Sequence, residues 1–223
     1  MKKVVGLLCG VFLLSACSDE NNTETEINNN VESIGTIASK PLPPVETEVD
    51  SMFYNYVTSD IFLEVKGLIS DFNEDLNYDG EDEEWLWSDE DMFDWITVNL
   101  SQTNFADVNE AQVRWSQIKN RVSLKADLFS NIYEFIGNEP EEVSVPVIKK
   151  WLVEPITTAD DDGKNCANDF DYCTNRVAEQ YAQTERSIQE GINPPSTRAS
   201  NDQTYENEMD RCRRVYKSCI GAT

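Results

Sequence analysis

From Ser59 onward the chain places apolar residues at helical intervals. Ile61, Phe62, Val65, Leu68, Ile69 and Phe72 recur at three- and four-residue steps, which puts them on one face of an α-helix. Ser59 or Asp60 stands where a side chain can cap its first turn. The pattern dissolves in Asp75-Leu76-Asn77-Tyr78-Asp79-Gly80. Ser88, with Asp91 three residues on as in a capping box, opens a second helix whose apolar side is Met92, Phe93, Trp95, Ile96 and Leu100. Asp107, followed by Glu110, opens a third. Val113, Trp115, Ile118, Val122, Leu128, Phe129, Ile132, Tyr133 and Ile136 carry it to a stop at Gly137, with a break marked by Ser123. Pro140, Pro146 and Pro155 then bracket a short piece, one or two helical turns from Pro146 to Val153. An edge strand over Val143 to Val147 is the competing assignment.

The C-terminal segment repeats more strictly. Cys166, Phe170, Cys173, Val177, Tyr181, Thr184 and Ile188 form one narrow seam, and Tyr205, Met209, Cys212, Tyr216 and Cys219 form another. Gly191, Pro194, Pro195 and Ser196 lie between them as a loop. The two seams predict an antiparallel helical hairpin. In each helix the cysteines are seven apart, so both sulfurs point the same way. Four cysteines allow three connectivities; antiparallel packing selects outer with outer and inner with inner, Cys166–Cys219 and Cys173–Cys212. A four-cysteine zinc site is the alternative, but zinc sites favour cysteines two to four residues apart.

The N-terminal pattern is different in kind. Lys2 and Lys3 precede an apolar run from Val4 to Leu14, too short to span a bilayer, which needs about 20 residues. With small residues following, this reads as a secretory signal over residues 1–16. The terminal Leu14-Ser15-Ala16-Cys17 resembles a bacterial lipobox. That resemblance, confined to the first seventeen residues, implies cleavage before Cys17 and lipid on its sulfur and amino group. An ordinary signal with a chance cysteine is the competing reading. Ser18, in the position where aspartate retains lipoproteins at the inner membrane, implies the outer membrane of a Gram-negative cell. Asp19-Glu20 resemble the surface-export signals of Bacteroidota lipoproteins, so the periplasmic and surface-facing sides both stay open. Residues 18–50, rich in Asn, Thr, Glu and Pro, show no core-forming period and read as a disordered tether.

Charge narrows the partners. The formal net charge is −24, and loss of Lys2 and Lys3 with the signal makes the remainder more acidic still. Such a chain repels nucleic acid and anionic head groups, so lipid rather than charge must hold it at a membrane. Cations, basic proteins and neutral glycans are the partners left. There is no histidine, which removes a Ser-His-Asp triad and any His-containing zinc site. In an exported chain, Cys166, Cys173, Cys212 and Cys219 are expected as disulfides.

Between Lys66 and Arg114 there is no basic residue, while Asp71 to Asp94 carries twelve acids. Within that run Asp75, Asn77 and Asp79, followed by Gly80, resemble the first half of an EF-hand or dockerin calcium loop, which needs oxygen ligands at alternate positions and glycine at the sharp turn. The resemblance stops there: the aliphatic eighth position is Asp82 and the acidic twelfth is Leu86. Glu83, Glu84 or Asp89 would have to close such a calcium site. The competing reading is a solvated acidic loop with Asx turns. Trp85, Trp87 and Trp95 beside these acids suit core anchoring better than sugar stacking. The basic cluster Arg211, Arg213, Arg214 and Lys217 is expected to pair with Asp169, Asp171 and Glu179 across the hairpin, or else to dock on the acidic loop. Asp160-Asp161-Asp162-Gly163 reads as a helix-entry turn.

The sequence thus predicts a mostly α protein in four stretches: signal peptide 1–16, lipid-anchored tether 17–50, an irregular acidic helical domain 51–156, and a disulfide-stapled hairpin 157–223. The expected function is that of a non-enzymatic binding or structural lipoprotein. A calcium-dependent surface module binding glycan or protein comes second, and a carboxylate-based hydrolase third.

Overall fold

The computed structural model describes residues 42–78, 88–153 and 166–221, and every regular element among them is helical. In chain order these are α1 (Glu48–Val57), α2 (Asp60–Leu76), α3 (Asp89–Asn99), α4 (Val108–Leu128), α5 (Ser130–Asn138), α6 (Glu141–Leu152), α7 (Cys166–Gln189) and α8 (Arg198–Cys219). Short 3₁₀ turns lie at Leu100–Gln102 and Pro195–Thr197. No described helix is long and apolar enough to cross a membrane.

Three helix starts follow the capping signals. Ser59 accepts from the Phe62 N–H at 3.3 Å, Ser88 from Asp91 at 3.0 Å, and Asp107 from Glu110 at 2.8 Å. A fourth start falls inside the segment expected to be tether. Thr47 and Asp50 form a reciprocal capping box that opens α1. Asp50, only 5 % exposed, also accepts from Lys150 Nζ at 2.6 Å and Trp151 Nε1 at 3.0 Å. Capping and these long-range bonds, rather than a long apolar period, bring the folded region back to Thr47, ahead of the expected boundary at 51.

Other boundaries shift for identifiable reasons. Ser123 breaks nothing: it lies exposed within α4, and the change of direction falls at Phe129 (φ −123°, ψ 40°). The buried stripe of α4 is Ala111, Trp115, Ile118, Val122 and Ala126. Val113 and Leu128, expected on it, are 60 % and 61 % exposed. The short piece after Pro146 is really α6, which begins at Glu141, so Val143 to Val147 are helical and not an edge strand. Pro146 cannot donate to the Glu142 carbonyl, but both residues lie on the exposed side, where solvent substitutes for the missing bond. Gly137 is not a stop; α5 continues to Asn138 and Gly137 is buried against α7.

The hairpin forms as the seams require. Cys166 joins Cys219 and Cys173 joins Cys212, each with Cα atoms 5.8 Å apart. It is not an appendage: α7 packs on α5 and α6, and α8 packs on α2 and α4. One apolar cluster joins Phe53, Tyr56, Ile132 and Ile148 to Val177 and Met209 of the hairpin. A second, built on Ile69, Phe72, Met92, Ile96, Trp115 and Ile118, includes Ala199 of α8. On α7 the seam runs through Glu185, fully buried, rather than through Thr184.

Candidate functional site

The end of α2 holds the described part of the expected calcium loop. Asn77 follows the last helical residue in the left-handed conformation (φ 51°, ψ 40°), which asparagine tolerates. Its Nδ2 donates to the Gln102 carbonyl at 2.9 Å, and the Asn104 N–H donates to the Asp75 carbonyl at 2.7 Å. The Asp75 carboxylate accepts from Arg114 Nη1 at 2.6 Å. Asp75 and Asn77 therefore form a latch that ties the end of α2 to the following turn and to α4. Asp79, Glu83 and Glu84, like Trp85, Trp87, Asp160-Asp161-Asp162-Gly163 and Cys17, lie outside the described residues.

Asp89 is likewise occupied. Its Oδ1 accepts from Trp115 Nε1 at 2.8 Å and Ser200 Oγ at 3.3 Å, and its Oδ2 from Lys119 Nζ at 2.6 Å. Among the described residues no three carboxylates or thiols gather where they could share a metal ion. The acidic run is relieved from α4, whose Arg114 and Lys119 reach Asp75 and Asp89, while Arg121 reaches Glu64 just ahead of the run. Arg114 and Lys119, the first cations after the acidic run, were the signal in the sequence.

Among the described residues the basic cluster of α8 does not pair with Asp169, Asp171 or Glu179, and most of the acidic loop that was its other expected partner lies outside those residues. Arg213 bonds Asp210, Arg211 lies 3.7 Å from Glu208, and Asp171 pairs with Lys149 of α6 at 2.6 Å. Among the described residues, the ion pairs that cross the hairpin are Arg176–Glu208 at 3.6 Å and Arg198–Glu185 at 3.0 Å. Pairs three residues apart on one helix are geometrically nearer than pairs across the hairpin. Arg211 and Arg214 line a cleft of about 190 Å³ between α8 and the end of α2, opposite Asn73, Glu74 and Tyr78.

The most perturbed groups lie deeper. Lys125 of α4 donates to Asp202 Oδ2 of α8 at 2.7 Å, and Tyr181 donates to Asp202 Oδ1 at 3.0 Å. Burial pulls the Lys125 ammonium down, but the Asp202 carboxylate and Tyr56 outweigh it and hold it above the usual lysine range. Tyr56 and Tyr133 share a 3.3 Å hydrogen bond, and burial pushes both phenols, and Tyr181, upward. Glu185 accepts from Arg198 Nε at 3.0 Å and Asn201 Nδ2 at 3.1 Å. Burial raises it, with Arg198 pulling the other way. The space beside Lys125 and Asp202 is about 30 Å³, room for a water or two and for no organic substrate. Sequence reasoning missed this lattice. Its traces were a lysine inside the apolar stripe of α4 and the polar run Ser200 to Gln203, buried at the start of α8.

Comparison with family models, curated proteins and solved structures finds nothing that matches this chain.

Proposed function

We propose that the protein is a lipid-anchored lipoprotein of the Gram-negative outer membrane, acting as a non-enzymatic binding or structural module. The anchor rests on the lipobox-like Leu14-Ser15-Ala16-Cys17. The non-enzymatic reading is carried by one observation: the strongly perturbed ionisable groups Lys125 and Glu185 are spent on Asp202 and Arg198. Perturbed groups commonly mark catalytic clefts, but the space beside Lys125 is only about 30 Å³. Their role is to hold α4, α7 and α8 together. A hydrolase would need an accessible carboxylate pair, and Glu185 and Asp202 are each bound to a cation. The calcium-dependent alternative must draw Asp75 away from Arg114 and complete its ligand set beyond the described residues.

Membrane fractionation with palmitate labelling tests the anchor. Wild-type protein should partition with the outer membrane and take up label. Cys17→Ser should lose the label and leave the membrane fraction. Unchanged partitioning in that variant would overturn the reading.

A further inference from the structure

Lys125 and Asp202 are placed as an amine and a carboxyl group poised to react. Both are buried, and Lys125 Nζ lies 2.7 Å from Asp202 Oδ2. The carboxyl carbon is one bond beyond that oxygen, close to the separation of about 3–3.5 Å from which reacting atoms combine. The rings of Tyr56 and Phe62 each lie 5.7 Å from the nitrogen and confine it. Tyr181 donates to the other oxygen, Asp202 Oδ1, at 3.0 Å. One turn further along α8, Glu206 lines the same space of about 30 Å³. Burial raises its carboxyl, with Lys66 and Arg213 pulling the other way. An amine, a carboxyl, an oxyanion donor and a second carboxyl thus gather around a space that admits a water or two.

We propose that Lys125 and Asp202 condense into an amide, an isopeptide bond that joins α4 to α8 covalently with the loss of one water. The ion pair is its precursor. The Asp202 carboxylate keeps Lys125 protonated at rest, and the same carboxylate is the base that frees the amine. Proton transfer along the 2.7 Å hydrogen bond leaves a neutral amine and a neutral acid, in a site where burial disfavours charge. The amine attacks Asp202 Cγ and the C–N bond forms. Charge gathers on Oδ1, to which Tyr181 donates. Glu206 gives its proton to the departing Oδ2 hydroxyl, the C–O bond breaks, and the nitrogen returns a proton to Glu206. The products are one amide and one water; Glu206 ends as it began, and no co-reactant is consumed. Free groups in water condense unfavourably, but groups held together reach effective concentrations of about 10⁵–10⁸ M. The step turns over no substrate, so it goes beyond the structural reading without making the protein an enzyme.

Tryptic peptide mapping of the full-length protein, reduced and denatured, tests it by mass spectrometry. Trypsin cuts after Arg121, Lys149, Arg198 and Arg211, so the two residues fall within 122–149 and 199–211, neither of which contains cysteine. In the wild type these should be recovered as one linked species, lighter than their sum by one water and uncut after Lys125. Lys125→Arg and Asp202→Ala should yield no linked species. Samples taken at intervals after a pulse of synthesis should show linkage slowed about 10²–10⁴-fold in Glu206→Gln and about 10²–10³-fold in Tyr181→Phe. In both variants Cys166–Cys219 and Cys173–Cys212 should still form, which shows that the hairpin has closed. A wild type with both disulfides closed but its peptides unlinked would overturn the proposal, as would linkage at the wild-type rate in both slow variants. Neither result bears on the fractionation of Cys17→Ser, so failure of the bond and failure of the anchor are read separately.

Discussion

Lys125 and Asp202 lie 77 residues apart in the chain and meet at 2.7 Å, with only 4 % and 6 % of their side chains exposed. The pair ties the long central helix to the start of the C-terminal one, and Tyr181 brings α7 to the same carboxylate. Removing one partner of such a pair leaves the other charge buried without compensation, which costs about 3–5 kcal/mol. Lys125→Met is therefore expected to lower unfolding stability by about that amount. Lys125→Met with Asp202→Leu should lose less than the sum of the two single changes. Urea denaturation of the three variants reads the coupling directly, and additive losses would show that the pair has no net worth.

The disulfides act on the same hairpin from its other end. Cys173→Ala with Cys212→Ala should cost about 2–4 kcal/mol, chiefly by freeing the unfolded chain. Cys166→Ala with Cys219→Ala opens a somewhat longer loop, 53 residues against 39, and should cost at least as much. Peptide mapping without reductant should recover those two pairs. A Cys166–Cys173 peptide would contradict the hairpin, since seven helical residues span about 10.5 Å.

Gly137 is set by a helix crossing. A Cβ at this position would lie 2.5 Å from Gln189 Cγ and 3.1 Å from the Glu185 carbonyl oxygen. Gly137→Ala should therefore destabilise by about 1–3 kcal/mol through overpacking, despite alanine's better helix propensity. Adding Gln189→Ala removes the nearest atom and should restore part of the loss. Full stability in Gly137→Ala, measured by denaturant midpoint, would mean that α5 and α7 can separate at no cost.

These three contacts show where the sequence is legible and where it is not. Ser59, Ser88 and Asp107 announced their helices because a cap is a local bond across three residues. The cysteines announced the hairpin because seven-residue spacing and loop position fix a pairing without other knowledge. α1 offered the same local signal in Thr47 and Asp50 but is only ten residues long, and what fixes it in place is the hold of Lys150 and Trp151 on Asp50, about a hundred residues away. Pro146 concealed α6 because its missing bond is harmless on an exposed face, which only the packing reveals. The meeting of Lys125 with Asp202 was unreadable for the same reason: the two belong to helices whose adjacency no local pattern records.

Asp50 also carries a pH signature. Lys150 above all, with Trp151 and Thr47, holds its carboxyl below the usual aspartate range, although burial pushes the other way. Its folded pKa is thus lower than its unfolded one, near 3.9. The resulting stabilisation is fully present above the unfolded value and fades as pH falls through the folded one. Thermal melts of wild type and Asp50→Asn should therefore differ most at neutral pH and converge in strong acid. A difference that stays constant with pH would assign the effect to shape rather than charge.

Calcium poses the sharpest choice at the end of α2. Asp75 already has a cation in Arg114, at 2.6 Å and with both side chains about 30 % exposed, a pair worth no more than about 1 kcal/mol. A calcium ion could displace it if Asp75, Asn77 and Asp79 converged, and would then bind with a dissociation constant of about 10⁻⁴–10⁻³ M. Such binding would raise the melting temperature as calcium rises through that range. Screening of an acidic surface raises it too, but sodium at equal ionic strength screens as well. With Asp75 latched to α4 and Asn77 to the turn that follows α3, the expected outcome is the same melting temperature in calcium and matched sodium. Arg114→Ala should then lower stability in both salts, because the latch is lost. A calcium-specific rise in the wild type that disappears in Asp75→Ala with Asp79→Ala would instead establish the half-loop as a metal site.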